Sequence, residues 1–267
     1  MINARVIADS ISTAGARITT MVIRFPRFIL AEFNTHRQFS RNAASSRAIP
    51  TTKIIRQVEE APALPVFWGK NQAGMQAWSE MSPGDRGVAE EIWLQARDLA
   101  VIKAKELLSI DCHKQIVNRI LEPWITTTVL VTATEWKNFF TLRCHPDAQP
   151  EMRALAEMMR DAFDKSRPSK VPEGGWHIPF GDKMPIDVSD SDRLKIATAR
   201  AARLSYESFD GETSLSKDLE LHDRLASSGH WSPFEHAASA LSDPLKRSGN
   251  FEGWDQYRKF FPGESGR

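Results

Sequence analysis

Residues 34–50 constrain this chain more than any other stretch. Between His36 and Arg47 they gather three guanidiniums, an imidazole, two amides and three hydroxyls. They follow directly on the apolar run Phe28-Ile29-Leu30-Ala31, so a buried element must end where a dense set of anion-binding groups begins. Arginine grips phosphate at two points, and Ser and Asn fill the remaining acceptor positions. A solvated polar loop or an exposed helix end has the same composition, and this segment alone does not separate those readings from a binding site.

The rest of the composition excludes several classes. At 267 residues the chain can bury a sizeable core, as one domain or two small ones. Charge is balanced, with 35 basic and 34 acidic residues, so bulk electrostatic binding to nucleic acid or an anionic membrane is not expected. No apolar run approaches the ~20 residues of a membrane span. The start, Met1 to Asp9, lacks the longer apolar stretch of a signal peptide. Two cysteines, Cys112 and Cys144, argue against a disulfide framework and suit a reducing compartment, so a cytoplasmic location is expected.

Along the chain, Ile18 to Leu30 is rich in β-branched and aromatic residues and reads as a strand leading into a helix that carries Glu32 to His36. Ile49-Pro50 closes that segment. Residues 60–87, with three prolines and four glycines, read as a long loop with short helices. Val88 to Leu108 is an expected helix, with Ile92, Ala96, Leu99, Ala100, Ala104 and Leu107 at helical spacing. Ile116 to Leu121 continues helically to Pro123, and Ile125 to Thr134 is compatible with strand or helix. Pro150 to Lys165 is expected to be a helix, and 167–185 a Pro- and Gly-rich linker or surface loop. Arg193 to Tyr206 and Ser214 to Ser228 read as helices, and the polar end from Arg247 to Arg267 as loose.

Two more stretches carry chemistry. Leu142-Arg143-Cys144-His145-Pro146-Asp147-Ala148-Gln149-Pro150-Glu151 places an Arg and a Cys before a helix start; Asp147 and Glu151 there are also ordinary helix-start residues. Ser228-Gly229-His230-Trp231-Ser232-Pro233-Phe234-Glu235-His236 holds two histidines with a Glu between them. Pro233 breaks the helical spacing of familiar zinc motifs, so no metal site is expected.

Together these blocks resemble the flavin-dependent thymidylate synthases. The family's Arg-His-Arg motif, followed by Ser and Arg, is matched by Thr35-His36-Arg37 with Ser40, Asn42, Ser45 and Arg47 in register. Its later block, an Arg before Ala-Gln-x-Glu, is matched at Arg143 and 148–151, with Asp147 where a His is common. Its Gly-His-x-Ser-Pro-x-Glu-His block is matched at 229–236, preceded by a similar Ala-Ala-Arg-x-Ser run at 201–205 within Ala199 to Tyr206. In the usual arrangement that block comes first, so the chain resembles a circularly permuted member, with 167–185 at the join.

The resemblance implies a single domain over residues 1–267 with an α+β fold, a mixed sheet with flanking long helices in permuted order. It implies reductive methylation at C5 of a pyrimidine deoxynucleotide monophosphate, dUMP to dTMP. Methylenetetrahydrofolate would supply the carbon and FAD the reduction, with NADPH as reductant, in a homotetramer whose FAD sites form between subunits. His36, Arg37, Asn42, Asn138, His230 and Ser232 would face FAD. Ser45, Ser46, Arg47, Arg119 and Arg143 would face the nucleotide, with Glu32 and Thr35 near its phosphate and Arg143 polarising the base as the catalytic cation. Arg119 also reads as a helix-terminal surface Arg. Glu32 replaces a Gln, Thr35 an Arg, Ala43 a Glu, Ala48 an aromatic residue, and Thr132 an Asn that commonly contacts flavin. These departures bear on the substrate more than on FAD. Methylation or hydroxymethylation of dCMP, or a non-catalytic flavin- or nucleotide-binding role, stay open beside dUMP methylation. Cys144 would suit a thiol nucleophile, yet a Cys before a helix is more often a small core residue.

Overall fold

The computed structural model describes residues 2–204 and 214–264. Two long strands, β1 (Asn3–Ser12) and β2 (Arg17–Pro26), form an antiparallel pair turned at Gly15, whose φ of 93° favours glycine. A 3-10 turn over Arg27–Ile29 and one helical turn, α1 (Leu30–Phe33), lead to β3 (Ser40–Ala43). Then come α2 (Thr51–Glu60), α3 (Pro83–Ser109), α4 (Lys114–Val117), a 3-10 segment over Asn118–Trp124, and β4 (Thr126–Ala133). Helices α5 (Lys137–Arg143) and α6 (Pro150–Lys165) precede the short strands β5 (Ser169–Val171) and β6 (Trp176–His177). The last part holds α7 (Asp190–Arg203), α8 (Leu215–Ser227), a 3-10 turn over Ser232–Glu235, and strands β7 (Ala238–Ala240), β8 (Arg247–Ser248), β9 (Phe251–Glu252) and β10 (Trp254–Gln256).

The main sheet has the order β3-β4-β2-β1-β5, antiparallel except for β5, which pairs parallel to β1. Alternation decides what each face packs against. Met21, Ile23, Phe25, Val129, Val131 and Ala133 form one face, covered by α5 and α6. Val22 and Leu130 lie on the other, under α7 through Ile196, Ala197 and Ala201. A smaller sheet of order β10-β7-β6 packs its Ala238, Ala240 and Trp254 on Ile18 and Val171. The mixed sheet with flanking helices is the α+β architecture that the family resemblance implies.

Through the second face of the main sheet runs a buried row of polar side chains. Ser10 Oγ lies 2.8 Å from His177 Nδ1, and His177 Nε2 lies 2.8 Å from Thr20 Oγ1. Thr20 and Thr132 hydroxyls are 2.8 Å apart, and Thr132 Oγ1 is 2.8 Å from His236 Nδ1. His236 Nε2 is buried without a partner. Burial pushes both imidazoles down to about 3; Asp9 partly opposes this at His177, and His177 adds to it at His236.

Several expectations are corrected here. Residues 3–9, read only for a leader, belong to β1. The stretch from Ile125 to Thr134 holds the strand β4; it is covered on both faces, which removes the alternation that would have identified it. The turn α1 stops at Phe33, so it includes Glu32 but His36 lies beyond it. α2, unread in the sequence, starts after Pro50. The long helix begins at Pro83 rather than Val88, because Ser82 caps it by accepting from the Asp85 N–H and Pro83 fits the first turn. Its core-facing row is Trp93, Ala100, Val101, Ala104 and Leu107, while Ile92 and Leu99 are 60% and 57% exposed. Residues 61–81 form no helix; a bridge between Gly69 and Glu80 closes the loop. The 167–185 segment is packed rather than loose, with His177, Phe180 and Met184 buried. The C-terminal segment is likewise ordered through Glu264, with Phe251 and Trp254 fully buried. The expected helix from Arg193 runs over Asp190–Arg203; Ser205 and Tyr206 lie outside the described residues.

Candidate functional site

The first and second sequence blocks meet. Arg143, at the end of α5, donates from Nε to His36 Nε2 at 3.0 Å. His36 is seated by aromatic rings, edge-on to Phe139 with centroids 4.8 Å apart and tilted against Phe39 at 5.9 Å. Phe33, Phe39 and Phe139 are buried and pack on one another, so the imidazole rests on a rigid base. Burial, then the neighbouring Arg143 and Arg41, lower its pKa to about 4. At neutral pH His36 is therefore an uncharged acceptor for Arg143, and the positive charge stays on the guanidinium.

The third block packs against the first. The Asn42 carboxamide, buried on β3, lies among the backbone carbonyls of Arg41, Ala201 and Ser232, all acceptors, and either orientation of the amide donates to one of them. Arg41 Nη1 donates to the carbonyls of Asn34 and His36 at 2.8 and 2.9 Å, which folds the 34–41 turn back on the strand. Ser40, Asn250 and Gln256 share hydrogen bonds at the edge of β3, and Gln256 also donates to the Glu235 carbonyl. Glu235 is engaged in an ion pair with Arg258. His230 is exposed and bonded to Ser228 Oγ at 2.9 Å, whereas His236 faces inward on Thr132, so the two histidines do not share a site.

A second cluster lies at the 44–50 turn. Glu122 Oε1 accepts from Ser46 Oγ at 2.5 Å and from Arg119 Nη1 at 2.8 Å, and is ion-paired with Arg27 Nε at 3.1 Å. Burial alone would raise the Glu122 pKa, but the Ser46 hydrogen bond and the two guanidiniums bring it below the ordinary value. Asn118 Nδ2 donates to the carbonyls of Ser46 and Ile49. Ser46 is buried, Ser45 half-buried, and Arg47 exposed.

The residues expected at the site thus fall into three groups. Arg143 and His36 are in contact, and Arg37, Arg47, Asn138, His230 and Ser232 are exposed. Asn42 and Ser46 are buried in structural contacts, and Arg119 is bound to Glu122. Thr35 Oγ1 donates to the Glu32 carbonyl at 2.7 Å, and the Glu32 side chain is exposed. Thr132 belongs to the buried polar row. Glu151 is buried and accepts from the Val66 N–H and from Gln149, anchoring the 61–81 loop to α6. Arg203, in the Ala-Ala-Arg run, and Arg200 just before it both bind the buried Asp218 and join α7 to α8. Cys144 packs on the α5–α6 core, and burial raises its pKa, against a reactive thiolate. Glu122 was missed in the sequence, where it is only the residue before Pro123.

Comparison with known proteins identifies the family and the fold. The family model described as Thymidylate synthase complementing protein matches residues 13–169, which include the His36 and Arg143 blocks. No curated protein matches the chain. Two solved structures of a UMP/dUMP methylase, PolB from Streptomyces cacaoi, are similar in fold. The one with 5-Br dUMP has a TM-score of 0.51 and 16% identity, over 62% of this chain and 90% of that one. The one with 5-Br UMP has the same TM-score and 19% identity, over 62% and 89%. With the family model spanning more than half its length, the chain belongs to the thymidylate synthase complementing protein family, that of the flavin-dependent thymidylate synthases.

Proposed function

We propose that this protein methylates C5 of a pyrimidine nucleotide monophosphate, dUMP first, using methylenetetrahydrofolate, FAD and NADPH. The observation that carries the reading is the Arg143–His36 contact, which joins a residue expected on the nucleotide to one expected on the flavin. Nε of Arg143 is engaged by neutral His36, so Nη1 and Nη2 are the atoms offered to the pyrimidine. A fixed cation at the carbonyl edge favours negative charge on the ring and prepares C5 to attack the methylene; one such contact contributes about 3 kcal/mol. The aromatic base under His36 holds that geometry without reorganisation.

The exposed donors fit FAD by their chemistry. Arg37 brings a cation for a pyrophosphate, and Asn138, His230 and Ser232 bring an amide, an imidazole and a hydroxyl. Asn42 would act beside them as a brace for the Ser232 turn. FAD, when bound, supplies the reduction that turns the transferred methylene into a methyl group. The packing of residues 230–236 on β3 supports a single permuted domain with 167–185 at the join. A homotetramer is consistent with α3, where Val88, Ile92, Leu99 and Ile102 form an exposed apolar row.

The test supplies dUMP, UMP and dCMP separately with methylenetetrahydrofolate, NADPH and FAD, and identifies products by mass. Methylation of dUMP is the expected result. Conversion of UMP, the ribonucleotide for which the PolB methylase is also named, would move the assignment to a ribonucleotide. Conversion of dCMP alone would replace uracil by cytosine, and no conversion with no bound flavin would overturn the reading.

A further inference from the structure

On the function proposed above, the substrate's phosphate goes to the turn at Ser45–Ala48. Its carbonyls are gripped from behind by neighbouring elements. Arg27 Nη1 donates to the Ala44 carbonyl at 3.2 Å, and Asn118 Nδ2 to those of Ser46 and Ile49 at 2.6 and 3.0 Å. Lys114 Nζ donates to the Ala48 carbonyl at 2.9 Å. The peptide bonds here are trans, and in a planar trans peptide the N–H of the next residue points opposite to the carbonyl. The N–H groups of Ser45, Arg47 and Ile49 therefore point away from Arg27, Asn118 and Lys114. Arg47 adds an exposed guanidinium to the same turn.

Glu122 completes the grip. Its Oε1 holds the Ser46 hydroxyl and ties up both Arg27 and Arg119. A carboxylate close behind an anion site is electrostatically adverse, since it adds a negative charge and occupies two cations that could have met the phosphate. Its geometric effect runs the other way, because it locks the middle of the turn with its carbonyls inward.

We propose that Glu122 and Asn118 are positioning residues of the phosphate site, fixing a turn whose backbone N–H groups at Ser45, Arg47 and Ile49 face the anion, and that Arg27 and Arg119 serve the turn rather than the phosphate. The two effects of Glu122 predict opposite signs, which makes the idea testable. Calorimetry on the full chain would measure binding of dUMP and of deoxyuridine, which lacks the phosphate. Glu122→Ala should weaken dUMP about tenfold, the worth of one charged hydrogen bond, and leave deoxyuridine unchanged. Glu122→Gln keeps an acceptor for Ser46 and should restore dUMP binding to near that of the wild type.

Tighter or unchanged dUMP binding in Glu122→Ala would overturn the proposal in favour of simple charge. Equal losses for both ligands would overturn it in favour of a general structural role. Should Glu122→Ala fail to fold, Lys114→Met removes one support from the Ala48 carbonyl. It should weaken dUMP a few-fold and spare deoxyuridine; no change would again overturn the proposal. A wild type that binds neither ligand would defeat the proposed function and this inference together, whereas normal dUMP binding in all variants defeats this inference alone.

Discussion

Mild acid should destabilise this protein steeply, and the buried polar row sets the magnitude. His177 and His236 are both buried and neutral, with pKa values near 3 against an ordinary 6.5. The unfolded chain takes up a proton at each as pH falls below 6.5, while the folded protein does not until about pH 3. Stability is therefore unaffected by these groups above pH 6.5 and falls between the two values. Each group contributes about 1.4 kcal/mol per pH unit in that window. From pH 7.5 to pH 5 the loss is about 2 kcal/mol for each histidine, or about 4 kcal/mol for the pair. Against a typical total of about 5–15 kcal/mol this is a large share. Urea unfolding at the two pH values measures it. His236→Gln and His177→Gln should each remove about 2 kcal/mol of the pH-dependent loss, whatever they do to stability at pH 7.5, while His36, its pKa also lowered, adds to what remains. A wild-type loss under about 1 kcal/mol, or an unaltered pH dependence in both variants, would refute the reasoning.

Replacing Arg143 with Ala should lower turnover about a hundredfold while FAD stays bound, since the guanidinium acts on the ring; steady-state kinetics and the flavin absorbance read the two effects. Cys144→Ser, by contrast, should leave turnover within a few-fold, and a folded, flavin-loaded but inactive variant would bring back a thiol nucleophile. On α3, the double change Ile92→Glu and Leu99→Glu should lower the assembly state seen by light scattering without unfolding the subunit, because both side chains are exposed within one chain; an unchanged mass would remove that helix from the interface.

How much of this could be read in advance depended on the length of each signal. β2 announced itself through a run rich in β-branched and aromatic residues, and the His36 and Arg143 blocks could be assigned to one family, though not to the 3.0 Å contact between them. β6, β8, β9 and β10 are two or three residues long, too short for any periodicity to register. β4 carried signal but lost its alternation to burial on both faces. Asn42 and Ser46 were recognised as polar members of a binding block; their inward turn depends on the carbonyls of Ala201 and Ser232 and on Glu122, contributed from far along the chain. Arg119 was expected at the nucleotide by resemblance alone, and nothing in the sequence shows that Glu122, three residues later, holds it. α3 misled for a related reason: it carries two apolar rows, and spacing alone does not tell which one the subunit buries.

The hydroxyl and imidazole row has a consequence for the order in which the chain can assemble. Ser10, Thr20 and Thr132 leave the ribosome long before His236, and His177 is followed by roughly ninety further residues. At about 5–20 residues per second, the four-strand portion waits several seconds for its imidazoles. During that interval the middle of its open face presents water-compatible hydroxyls rather than bare hydrocarbon, which lowers its tendency to stick to other nascent chains. Once both histidines arrive, the same groups are sealed from water and bonded to one another, with His236 Nε2 left without a partner. The late segment then closes contacts of very high sequence separation, and the final docking step, rather than formation of the strands, is expected to set the refolding rate.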